Sequence, residues 1–150
     1  MNLSIGELAR RSGVKIPTIR YYEQIGLLPQ PPRTEGRQRR YGMDEVKRLN
    51  FIRHARELAF DIDDIRQLLA LSETPQRSCH EADSIAMRHL GQIEERIHQL
   101  QALGNELRRM VDECGHGRIC ECRIVEAIGD HGLCADETHE RTRLKVMAPG

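Results

Sequence analysis

Between residues 80 and 113 an apolar seam recurs at Leu90, Ile93, Ile97, Leu100, Leu107 and Val111. The steps are three, four, three, seven and four, a heptad rhythm in which Gly104 falls between Leu100 and Leu107 and Leu103 can cover the gap. A seam this narrow on an otherwise charged helix calls for a partner helix. Cysteines bracket it. Cys79 stands just before it, and Cys114 is the next seam position after Val111. At about 1.5 Å per residue, a helix of this length separates the two by roughly 50 Å, so they cannot share a ligand within one chain. In an antiparallel pair, Cys79 of one copy lies near Cys114 of the other. The stretch therefore reads as a long antiparallel coiled-coil dimerisation helix with a thiolate site at each end. A lone core helix with buried cysteines is the alternative that periodicity leaves open.

The fold class expected is mainly α. Aromatic residues make up 3% of the chain and Trp is absent, which suits modest helical cores. Net charge is zero, yet residues 1–60 hold twelve Lys/Arg against six Asp/Glu, and residues 61–150 hold eleven against seventeen. A basic first portion suggests a polyanion surface there, most often nucleic acid. Simple charge asymmetry would look the same. No secretory leader pattern and no long apolar run is read, so a cytoplasmic, nucleoid-associated chain with no membrane partner is expected. Five cysteines in such a chain point to metal-binding or reactive thiols rather than a disulfide framework.

Ser4-Ile-Gly-Glu7 has capping-box spacing and Gly13 can end the helix it opens. Pro17 can open a second helix running to Gly26. Two short helices joined by a Gly-containing turn make a helix-turn-helix pattern, or any helical hairpin. The second exposes Lys15, Arg20, Tyr21 and Tyr22 near the turn, types that contact phosphates and base edges. Arg33, Arg37, Arg39 and Arg40 then cluster around Gly36 before Tyr41, as a basic wing on DNA would require. A solvated loop is the other reading. Residues 44–60 and 62–69 read as two further helices, the second capped by Asp61. Arg53 and Arg56 are candidate phosphate contacts, or plain surface charge.

Past the seam comes Cys114-Gly-His-Gly-Arg-Ile-Cys120-Glu-Cys122, then Arg123 to Ile128 as a short amphipathic helix. The glycines let the chain fold back. Two or three thiols and a histidine within nine residues form a soft-metal cluster. Redox-active or inert thiols remain open at this point.

Residues 18–29, TIRYYEQIGLLP, followed by R-x-x-G-x-x-R-x-Y (Arg33, Gly36, Arg39, Tyr41), closely resemble the MerR family of transcriptional regulators. Residues 3–122 then line up in family order, with Gln38 where many relatives carry a wing aromatic. The resemblance implies a winged helix-turn-helix DNA-binding domain with linking helices over 1–72 and a dimerisation helix over 80–113. A metal-binding loop and short helix over 114–128 and a flexible tail over 129–150 complete it. The implied DNA-binding residues are Lys15, Thr18, Arg20, Tyr21, Tyr22, Arg33, Arg37, Arg39, Tyr41 and Arg53. The implied metal ligands are Cys114 and Cys122, the latter opening a C-x-[IV]-[LIV]-E-A-[IL] stretch, together with Cys79 from the other subunit. His116 and Cys120 are further candidates. Monovalent copper sensors of the family usually lack a cysteine at the position of Cys79, so a divalent ion is implied, Zn(II) first and Cd(II) or Pb(II) next. His131, Cys134 and His139 belong to the tail, which could add ligands but reads as a mobile terminus.

The implied function is a non-enzymatic, metal-responsive regulator. A homodimer binds double-stranded promoter DNA and distorts it so that RNA polymerase engages, controlling metal efflux or resistance genes. A thiol redox-responsive regulator of the same fold, or a constitutive DNA-binding protein with a structural zinc site, are the alternatives.

Overall fold

The computed structural model describes residues 2–31, 40–119 and 122–130. Among these lie six helices: α1 (Ile5–Ser12), α2 (Ile16–Gln24), α3 (Met43–Glu57), α4 (Ile62–Ser72), α5 (His80–Asp112) and α6 (Arg123–Gly129). The only β pairing among them is an isolated antiparallel bridge between Leu3 and Tyr41. The chain divides into two compact units, one ending at Ile85 and one beginning at Ala86.

The first unit is built by local rules. The Ser4 hydroxyl accepts from the Glu7 N–H at 3.3 Å, and the Glu7 carboxylate accepts from the Ser4 N–H at 2.8 Å. That reciprocal box satisfies two otherwise orphaned donors of α1. Gly13 ends α1 in left-handed backbone, φ 70°, as a residue without Cβ can do at low cost. The buried Ser12 hydroxyl donates to the Leu8 carbonyl at 2.8 Å and accepts from the Val14 N–H at 3.3 Å, fixing the turn into α2. Pro17 lies in the first turn of α2. Gly26, φ 75°, ends it, with the Leu27 N–H returning to the Tyr22 carbonyl.

Two arginines from later helices then satisfy the chain leaving α2. Arg66 donates to the Ile25 carbonyl at 2.9 Å and Arg48 to the Leu27 carbonyl at 2.7 Å. Leu8, Ile19, Leu27, Leu28, Leu49, Ile52 and Ile65 fill the core that joins α1 through α4.

The helix expected to run to Phe60 stops at Glu57. Ala59 adopts φ 67° while the Phe60 N–H reaches back to the Ala55 carbonyl. This is a Schellman ending with Ala where Gly is usual. Asp61 caps α4 as expected, accepting from the Asp64 N–H at 2.8 Å.

In the second unit the seam side chains Leu90, Ile93, Ile97, Leu100, Leu107 and Val111 are between 36% and 58% exposed. His89, Ala102, Glu106 and Met110, on a neighbouring stripe, are buried instead. Leu103, expected to cover the place of Gly104, is half-buried and off the exposed seam. No helix of the described residues is long and apolar enough to cross a membrane.

Candidate metal centre and nucleic-acid interface

Helix α5 ends at Asp112, and the Cys114 N–H still reaches the Val111 carbonyl at 3.2 Å. The loop that follows turns through left-handed backbone at His116, φ 53°, and not at Gly115, so a histidine rather than the expected glycine makes the reversal. The Cys122 N–H donates to the Ile119 carbonyl at 3.0 Å, and Cys122 takes the N-cap position of α6. Its sulfur closes no cap hydrogen bond. The N–H of Val125 nonetheless holds the Cys122 thiol below the ordinary thiol range against partial desolvation, and the N–H of Ile124 and the Cys114 side chain add to the pull. A sulfur at a helix N-terminus is favoured as thiolate for the reason any anion is.

Cys114 and Cys122 are both half-buried and side by side. Glu113 and Arg123, which flank them, are paired at 2.8 Å. Two adjacent sulfurs suit a soft cation and leave it short of a full ligand set. Among the described residues no three His, Cys, Asp or Glu side chains converge. His116 therefore does not join the two sulfurs as a third donor within the chain; it is exposed. Cys79 is exposed at the start of α5, where its carbonyl accepts from the Asp83 N–H. Cys120, His131, Cys134 and His139 lie outside the described residues.

On the helix pair, Lys15, Arg20 and Tyr21 are exposed and Thr18 is half-buried. Two expected contact residues are placed otherwise. Tyr22 is 6% exposed, and burial raises its phenol above the ordinary range. Tyr41 is 2% exposed; its hydroxyl donates to the buried Glu23 carboxylate, and its backbone bridges Leu3. Both rings build the head rather than presenting an aromatic face to a ligand. Arg53 is half-buried, lies against the bare Cα of Gly13 and pairs with Glu57 at 3.8 Å. Arg56 gives a hydrogen bond to the Phe60 carbonyl, consistent with a structural post at the end of α3. Arg33, Arg37 and Arg39 fall outside the described residues.

Sequence reasoning missed the ionic network around Glu113 and the two arginines that cap α2. The i, i+4 spacing of Arg109 and Glu113 signals the first of these. Nothing local signals Arg48 or Arg66, which act on residues far away in sequence.

Residues 3–72 match the model described as MerR HTH family regulatory protein, and residues 46–110 the one described as MerR, DNA binding. The HTH-type transcriptional regulator ZntR of Escherichia coli K12 is 40% identical over 128 residues, 83% of this chain and 90% of that one. The heavy metal-dependent transcription regulator 2 of Rhizobium meliloti is 36% identical, over 85% of this chain and 87% of its own. Among solved structures, PbrR691 from Ralstonia metallidurans CH34, crystallised with lead(II), superposes with a TM-score of 0.75 at 36% identity. The match covers 84% of this chain and 98% of that one.

Proposed function

The chain belongs to the MerR family of transcriptional regulators, and from that premise we propose that it is a homodimeric regulator that activates its promoter in response to a divalent soft metal ion. Promoter DNA and RNA polymerase are its working partners, and the cytoplasm is its place of action. The proposed inducer is Zn(II), with Cd(II) and Pb(II) next, and the regulated genes are those of metal efflux or resistance.

One observation carries the metal reading: the half-buried side chains of Cys114 and Cys122 are brought together where α6 begins. Cys114 and Cys122, with Cys79 of the partner subunit, would hold the ion, and three thiolates would neutralise and satisfy a divalent soft cation. A heavy metal-dependent relative and a relative crystallised with lead(II) support the same class of ligand. The exposed seam of α5 supports pairing of two copies, since six large apolar side chains stand uncovered in a row.

Lys15, Thr18, Arg20, Tyr21 and Arg53, with Arg33, Arg37 and Arg39 of the wing, are the proposed DNA contacts. The ion acts on the promoter only through a difference in its affinity for two shapes of the dimer. Moving the population from 1:99 to 99:1 takes roughly 5.5 kcal/mol of such difference.

The test is transcription in vitro from the cognate promoter, titrated against buffered free Zn(II), Cd(II), Pb(II) and Cu(I), and against peroxide. Activation by a divalent ion, lost in Cys79→Ser while operator binding persists, is the expected result. A normal divalent response in Cys79→Ser would remove that residue from the site. The adjacency of Cys114 and Cys122 also suits a thiol redox sensor, and activation by peroxide alone would favour it.

A further inference from the structure

Two loop cysteines bind a cation more tightly when the chain between them already holds them together, because less freedom is lost on binding. Residues 115–119 of the segment from Cys114 to Cys122 lie at the surface. Backbone hydrogen bonds secure the described loop only at its ends, Cys114 to Val111 and Cys122 to Ile119. Among the described residues, an ionic contact spans it. Glu113, the residue before Cys114, accepts from Arg123 Nε at 2.8 Å through Oε2, and Arg123 is the residue after Cys122. The other oxygen of Glu113, Oε1, accepts from Arg109 Nη1 at 3.3 Å.

Each guanidinium is itself steered from its own helix. Arg109 gives a second bond to the buried Glu106 at 3.0 Å, one turn back on α5. Arg123 pairs with Glu126 at 3.4 Å along α6.

We infer that Glu113 and Arg123, backed by Arg109, form an ionic clasp that closes the loop and positions Cys114 and Cys122 for the ion before it binds. They are positioning residues, not ligands. The inference rests on the metal reading given above.

An isolated surface pair would be a weak argument, because ordering two long side chains offsets most of the attraction in water. This one differs on two counts. Both arginines are partly ordered by their own helices, so less freedom is lost on pairing. The pair also joins positions ten residues apart, so it removes loop-closure freedom that a binding ion would otherwise have to remove.

The experiment is competition of the full-length, reduced, metal-free dimer against a chromophoric chelator for Zn(II), at fixed pH and two ionic strengths. The variants are Glu113→Gln, Arg123→Gln, the double variant and Arg123→Lys. Circular dichroism establishes that the helices are intact in each. The clasp predicts that either single substitution weakens Zn(II) binding by roughly threefold to tenfold. It also predicts that the double variant is no weaker than the worse single one, and that Arg123→Lys recovers part of the loss. The gap between wild type and variants should narrow at high salt, as the ion pair is screened.

A pair that only stabilised the fold would be non-additive and rescued by Lys in the same way, so the separating result is a loss of Zn(II) affinity in variants whose circular dichroism matches wild type. Variants that bind Zn(II) like wild type, or single effects that simply add, overturn the clasp. Cys114→Ser separates this from failure of the premise: if it binds Zn(II) as tightly as wild type, the metal reading falls and the clasp with it. If it binds weakly while the clasp variants do not, only the clasp falls.

Discussion

Glu7 shows how a single side chain ties stability to pH. The Ser4 backbone N–H, and after it the Ser4 hydroxyl, hold its carboxyl below the ordinary carboxylate range. The folded value is therefore depressed, and the stabilisation exists above the unfolded value and disappears as pH falls through the folded one. Glu7→Ala should be less stable than wild type near neutrality, with the difference shrinking as the solution is acidified below the carboxylate range. Urea midpoints measured across pH check this, and a difference that grows in acid would contradict it. Ala59 is a second single-residue case. It holds φ 67°, which an L residue with a Cβ adopts at a cost of about 1–2 kcal/mol. Ala59→Gly relieves that cost but frees the unfolded chain, so the expected net gain is about 0.5–1 kcal/mol, read as a higher urea midpoint at unchanged slope. Neither Ala59 nor the burial of Tyr41 could be read beforehand. Alanine carries no turn signal, and a tyrosine beside four arginines looks like a ligand contact until Glu23 is found beneath it.

At the scale of the element, α5 is where pattern and structure agree most fully. All six seam positions picked by heptad spacing are left uncovered, because a period of seven residues keeps one narrow stripe on one side of the helix, and Met87, three residues before Leu90, is uncovered beside them. The head helices were equally readable at their starts. Ser4, Pro17 and Asp61 each act through bonds or dihedrals within four residues of themselves. Their ends are less legible, since Arg66 and Arg48 complete α2 from α4 and α3. The loop at Cys114 shows its chemistry in the sequence but not its shape, because His116 makes the left-handed turn that glycine usually makes.

Gly104 turns this into a prediction. A Cβ placed there meets nothing nearer than the flexible Arg108 guanidinium at 3.9 Å, so nothing described within the chain requires glycine. Glycine inside a helix costs about 1 kcal/mol relative to alanine. Gly104→Ala should therefore raise helix stability in any one chain. If a partner helix crosses closely at that point, the same methyl should weaken the dimer. Sedimentation equilibrium is expected to show a higher dissociation constant for Gly104→Ala and none of that effect for Gly91→Ala, whose Cβ also meets open space but off the seam. Equal dimer strength in both variants would place the close crossing elsewhere.

For the whole molecule the decisive matter is which chain supplies which sulfur. Cys114 and Cys122 are neighbours in one chain, and among the described residues no third donor joins them. If the third is Cys79 of the partner subunit, two defective chains can repair each other. A Cys79→Ser subunit keeps its loop cysteines but offers its twin no donor. A Cys114→Ser subunit offers the donor but has a broken loop. Each pure homodimer then has two damaged sites. The mixed dimer has one site with every ligand restored, made of the first chain's loop and the second chain's Cys79, and one site missing both. Donors drawn from a single chain give the opposite result, because mixing leaves both sites damaged. Differently tagged subunits, co-expressed and purified through both tags, should bind one Zn(II) tightly per dimer. The parent homodimers should bind Zn(II) at least tenfold more weakly, since each lost thiolate removes a charged ligand from the ion. A mixed dimer no better than its parents would mean that the third ligand comes from the same chain or from another residue, and the shared site would have to be abandoned.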